Sequence, residues 1–82
     1  MTYKLTLRLT NIKDAPPNSI SETRLALNWT RWKRLEENHY EFIYNEDPKT
    51  LEKWIKQLIF PGVIAEVTIT PFDPQRTFVV RG

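Results

Sequence analysis

The chain has 82 residues, a formal net charge of +2, three Trp, three Tyr, four Phe and no cysteine. One small domain spanning residues 1–82 is expected, held by packing rather than by disulfides or thiolate metal sites. The charge is too small to imply a nucleic-acid partner by itself, and no apolar run approaches the ~20 residues of a membrane span.

The N-terminus opens on alternation, not on the apolar core of a signal peptide, so none is expected. A cysteine-free composition fits a reducing, cytoplasmic compartment. In residues 3–10, Tyr3, Leu5, Leu7 and Leu9 point one way and Lys4, Thr6, Arg8 and Thr10 the other, which reads as a strand with one wet face. Residues 13–19 contain Pro16-Pro17 and read as a loop.

Residues 20–36 support two readings. In one, Ser19 and Glu22 form a capping box for a helix whose stripe is Leu25, Trp29 and Trp32. In the other, which we favour, Leu25, Leu27 and Trp29 alternate as a strand that enters a hairpin turning at Glu37-Asn38. That register sets Arg34 against Glu41, Trp32 against Ile43 and Leu35 against Tyr40. Tyr40, Phe42 and Tyr44 alternate as the next strand.

The clearest helix covers residues 47–60. Leu51, Trp54, Ile55, Leu58 and Ile59 make one apolar stripe, Asp47 is a fitting N-cap, Pro48 a fitting first residue, and Pro61-Gly62 a stop. Residues 63–70 alternate again, with Val63, Ala65, Val67 and Ile69 inward. A turn at 71–74 leads to a short last strand, 76–81, expected to pair back on 63–70.

The fold class is therefore α+β: a two-layer domain with a four- to five-stranded, largely antiparallel sheet. One firm helix (about 48–60) lies over the face carrying Leu5, Leu7, Phe42 and Val67. The opposite face shows Lys4, Arg8, Ile43, Thr68 and Thr70, with Trp32 added in the strand reading.

Catalytic chemistry finds no foothold in these residues. His39, the single histidine, sits in an expected turn with no nucleophile motif beside it. Glu36-Glu37 and Glu46-Asp47 are sequence neighbours, which on a strand point to opposite faces. Two glycines, Gly62 and Gly82, cannot build a phosphate-cradling loop. No enzyme activity, catalytic residue, metal, cofactor or small-molecule ligand is expected.

Binding has more support. Asn28-Trp29-Thr30-Arg31-Trp32-Lys33-Arg34 interleaves two tryptophans with three cations. Cations meet phosphate and tryptophan stacks on bases, but Trp and Arg also dominate protein interfaces. The plainer alternative makes Trp29 core and packs Trp32 on Ile43. The candidate surface is Trp29, Arg31, Trp32, Lys33 and Arg34, with Ile43 and Arg8 on the wet face. An open sheet edge, suited to strand addition or dimerisation, is a further candidate. A non-catalytic interaction module is expected, an accessory subunit, regulator or inhibitor acting on another protein or on its own copies. Weak nucleic-acid binding through residues 29–34 is second: the glycine-flanked aromatics of an RNA-recognition motif are absent, and acids follow the cations.

Overall fold

The structure is a computed structural model that describes residues 2–45, 50–70 and 76–82. Its elements run β1 (Tyr3–Leu9), α1 (Pro17–Trp29), β2 (Lys33–Glu36), β3 (His39–Tyr44), α2 (Leu51–Lys56), β4 (Ile64–Thr70) and β5 (Arg76–Arg81). The fold is α+β, with a five-stranded antiparallel sheet ordered β2-β3-β1-β4-β5. β1 and β2 both pair antiparallel to β3, and β3 and β4 both pair antiparallel to β1. β1-α1-β2 and β3-α2-β4 are thus two interlocked split βαβ units, with β5 added outside β4.

Alternation sets the layers as the sequence predicts. Leu5, Leu7 and Leu9 of β1, Tyr40 of β3, and Ala65, Val67 and Ile69 of β4 are buried in one core with Ile20, Leu27, Leu51 and Ile55 of the helices. Lys4, Arg8 and Ile43 are exposed, and Thr68 and Thr70 half-buried, on the opposite face.

Residues 20–29 are helical, the less favoured of the two readings, while Lys33–Glu36 keep the strand of the favoured hairpin. Pro17, expected in a loop, opens α1, where its missing N–H leaves nothing unsatisfied. The buried residues are Ile20, Thr23 and Leu27, a stripe of helical period. Leu25 and Trp29, which suggested alternation, instead point outward. Ser19 lies inside the helix, and no side-chain cap bond forms at its start, so the capping box is not realised. The Thr30 hydroxyl and N–H both reach the Leu27 carbonyl, at 2.9 and 3.4 Å, and end the helix.

The hairpin turns at Glu37-Asn38 as expected, but its register is one residue off. Lys33 pairs with Glu41 and Arg34 with Tyr40, with an irregularity between Arg34 and Glu36. A one-residue slip exchanges the two faces. Trp32 accordingly leaves the wet face and is 5% exposed. It packs against Phe42 (5.4 Å between centroids) and Trp54 (6.1 Å) rather than beside Ile43.

α2 is shorter than the predicted helix. Beyond Lys56 the backbone continues in i→i−3 bonds through Ile59, the tighter winding common at helix ends. The Asp47 cap and Pro48 lie outside the described residues, as does the predicted turn at 71–74. The expected stop is observed: the Val63 N–H bonds the Phe60 carbonyl at 3.1 Å with Gly62 at φ +87°, the conformation a Pro-Gly turn of type II requires. The segment after α2 is tied to α1 where the Phe60 N–H donates to the fully buried Thr23 hydroxyl at 3.0 Å. Asn11 ties the end of β1 to the start of β4, donating to the Gly62 carbonyl (2.7 Å) and accepting from the Ile64 N–H (2.8 Å).

Candidate functional site

The basic, tryptophan-containing segment does not form one surface. Trp29, at the last turn of α1, is 82% exposed, and Leu25, one turn earlier on the same side, is 51% exposed. Their positions oppose the buried stripe of Ile20, Thr23 and Leu27. Trp29 is therefore not core. Trp32 is: Phe42, Trp54 and Tyr44 complete its cluster, with Trp54 5.3 Å from Phe42 and 6.2 Å from Tyr44.

Arg31 and Lys33 line a cleft of about 340 Å³ with Glu41, Phe42 and Ile43 at the β2/β3 edge of the sheet. Three of the seven predicted residues, Arg31, Lys33 and Ile43, thus come together. Arg34 turns to the helix side. With Arg24, Asn28, Glu37, Asn38 and Tyr40 it lines a separate cleft of about 320 Å³ between α1 and the hairpin. Arg8 lies apart on the open face, opposite His39 on one side and Glu66 on the other. Lys4, not Arg8, is the β1 residue opposite Ile43, so Arg8 and Ile43 are four ladder steps apart, roughly 13 Å.

The helix-side cleft was not legible in advance, because it depends on α1. Arg24 donates to the Asn38 side-chain oxygen from Nε (2.9 Å) and Nη2 (2.6 Å) and pairs with Glu37 at 3.4 Å. Burial raises the Tyr40 phenol above its usual range, and the nearby Arg24 and Arg34 guanidiniums oppose the shift. Leu25 is absent from the predicted surface; its spacing of four from Trp29 is the signal that marks the outer stripe once α1 is known.

The open face of the two central strands carries Lys4, Thr6 and Arg8 from β1 and His39, Glu41 and Ile43 from β3. Lys4 and Glu41 approach to 3.9 Å. Tyr40, Phe42 and Tyr44 occupy the alternate positions of β3, toward the helices. Sheets that hold single-stranded RNA display their aromatics on the open face; here these strands turn theirs inward. Among the described residues no three His, Asp, Glu or Cys side chains group to hold a metal, and no helix is long and apolar enough to cross a membrane.

Comparison of the chain with protein-family models, curated proteins and solved structures gave no match.

Proposed function

We propose that this chain is a non-catalytic interaction module that works by contact with another protein, as an accessory subunit, regulator or inhibitor within a larger cytoplasmic assembly. The observation that carries the reading is Trp29, 82% exposed on the outer face of α1 with Leu25 one turn away. Holding an indole in water gives up the stabilisation its burial would bring, roughly 25 cal/mol per Å² of apolar area. Tryptophan is also the residue type most enriched among interface hot spots. The cytoplasmic setting rests on the cysteine-free composition.

Weak nucleic-acid binding through residues 29–34 is the second reading. It is weakened by the separation of Trp29, the Arg31/Lys33 cleft and Arg34 onto different surfaces. The test is affinity capture from a native extract, with and without nuclease, comparing the wild type with Trp29→Ala. Nuclease-resistant capture that Trp29→Ala abolishes supports the protein-contact reading. Capture lost to nuclease promotes the second.

A further inference from the structure

The two edges of the sheet are finished differently. β2 is four residues long, fully exposed, charged at Lys33, Arg34 and Glu36, and irregular between Arg34 and Glu36. Shortness, charge and bulging are the devices that keep an edge from recruiting another strand. β5, at the other edge, is a six-residue strand in unbroken register with β4, from Ile69↔Arg76 to Ile64↔Arg81. It contains no proline and no bulge, and Val79 is 45% exposed.

The ladder bonds fix which backbone groups of β5 face outward. The Thr10 N–H donates to the Ile64 carbonyl and the Gly82 N–H to the Val63 carbonyl, both at 2.9 Å. Antiparallel bonding alternates, so Arg76, Phe78 and Val80 bond to β4. Thr77, Val79 and Arg81 turn their N–H and C=O groups away from it. Among the described residues no strand pairs with that outer side.

We propose that β5 is a self-association edge that adds to β5 of a second copy, antiparallel, about a two-fold axis through Val79. The occupant follows from self-complementarity. Only the odd-numbered residues offer outward bonds, so odd must pair with odd. With Val79 on the axis, Val79 meets Val79, Thr77 meets Arg81, Phe78 meets Val80 and Arg76 meets Gly82. Every residue from Arg76 to Gly82 is used, apolar side chains face apolar ones, and no arginine opposes another. Centring on Val80 would set Val79 against Arg81 and Phe78 against Gly82; centring on Phe78 would set Val79 against Thr77 and Val80 against Arg76, so both break the apolar pairs. A two-fold contact of this kind closes on itself and yields a dimer with one continuous sheet. The proposal uses a backbone edge remote from the Trp29 argument and stands beyond it.

The absence of cysteine makes the register directly readable by single-cysteine variants. Under mild oxidation Val79→Cys should cross-link to itself. Thr77→Cys and Arg81→Cys should each stay largely uncross-linked alone but cross-link when mixed. By light scattering the unmodified chain should move toward doubled mass as concentration rises. Val79→Pro removes an N–H that β4 does not use, so it should abolish the dimer while circular dichroism is preserved. If Val79→Pro does not fold, Val79→Lys, a charge against its own copy on the axis, serves instead. Trp29→Ala should leave the dimer unchanged. A wild-type chain that stays monomeric at every concentration overturns the proposal. So does a dimer that survives in the Val79 variant, or Thr77→Cys cross-linking to itself as readily as Val79→Cys. A dimer lost in Trp29→Ala but kept in the Val79 variant would place self-association on α1, overturning the β5 proposal while leaving the role of Trp29 in protein contact intact.

Discussion

Arg24 of α1 clamps Asn38 in the β2–β3 turn, donating from Nε at 2.9 Å and from Nη2 at 2.6 Å to one side-chain oxygen. Asn38 has φ +66°, a region asparagine tolerates better than most residues. Its carbonyl also accepts the Leu9 N–H at 2.9 Å. One residue therefore shapes the turn, extends the central ladder and ties the hairpin to the helix. Asn38→Gly keeps the backbone freedom and removes only the clamp, so it should cost about 1–2 kcal/mol, the range of a part-exposed hydrogen bond to a charged group. Asn38→Ala adds the left-handed strain and should cost more. A double-mutant cycle with Arg24→Ala in urea should return a coupling of about 1 kcal/mol; zero coupling would mean that the clamp contributes nothing.

Gly62 is required twice over. Its φ is +87°, and a Cβ there would lie 2.7 Å from Pro16 Cδ, in a ring that cannot swing aside. Gly62→Ala should therefore destabilise by about 1–3 kcal/mol, the cost of a strained backbone position. Gly62→Asn, which tolerates the conformation but not the close approach, should recover only part of it. A thermal midpoint unchanged in the alanine variant would contradict this geometry.

These two sites also show what the sequence could and could not disclose. Alternation is a local signal, and β1, β3 and β4 were legible because Leu5/Leu7/Leu9, Tyr40/Phe42/Tyr44 and Ala65/Val67/Ile69 repeat at period two; β5 was legible as the strand that pairs back on β4. The Pro61-Gly62 stop was legible as a local signal too. α1 was legible only as the less favoured of two readings, because its buried stripe is narrow and includes a threonine, Thr23, while Leu25 and Trp29 are apolar and outward. A core-seeking reading places those two inside and so finds a strand. The irregularity between Arg34 and Glu36 leaves no mark in composition, yet it decides which face Trp32 occupies. The scattering of the basic segment follows directly: without the helix and the register, residues 29–34 look like one patch.

Trp54 joins α2 to the sheet through Trp32, Phe42 and Tyr44, with centroids 6.1, 5.3 and 6.2 Å away. Its side chain is half-buried, so Trp54→Ala should fall at the lower end of the range for large aromatic deletions, about 3 kcal/mol. For a chain this small that is a large share of total stability. Trp54→Phe should restore part of it. Because Trp29 is exposed, the emission of the packed Trp32–Trp54 pair is best read in a Trp29→Phe background, where it should be blue-shifted in the folded chain and shift red on unfolding.

Tyr40 gives a pH signature at the alkaline end. Burial holds its phenol above the ordinary value of 10.0, against the opposing pull of Arg24 and Arg34. The folded chain thus keeps this proton to higher pH than the unfolded chain does. The associated stability is fully present below about pH 10 and is lost as pH rises through the folded value. Urea midpoints should fall more steeply above about pH 10 in the wild type than in Tyr40→Phe. Parallel curves for the two would indicate a phenol no more buried than in the unfolded chain.

Trp29 separates an interaction surface from a structural residue. Because it is 82% exposed, Trp29→Ala should shift stability by no more than about 0.5 kcal/mol, the usual range for surface changes. Partner capture should nevertheless fall sharply, because a desolvated indole contributes far more to an interface than to this isolated chain. Charge reversal at Arg31, Lys33 and Arg34 together asks a different question. These cations make no ion pair among the described residues, so they are available to phosphate, and counterion release would make any such binding fall with salt. Yet Glu41 lines the cleft with Arg31 and Lys33, and Glu37 the cleft with Arg34, which sets a carboxylate in each of the two clefts. Single-stranded RNA or DNA should therefore bind no tighter than about 10 μM at physiological salt, within the non-specific range. Triple reversal should leave protein capture less affected than Trp29→Ala does, since rim charges steer association more than they hold a complex. A nanomolar, salt-sensitive affinity for an oligonucleotide, lost on triple reversal and kept in Trp29→Ala, would reverse the ordering and make the cations the functional groups.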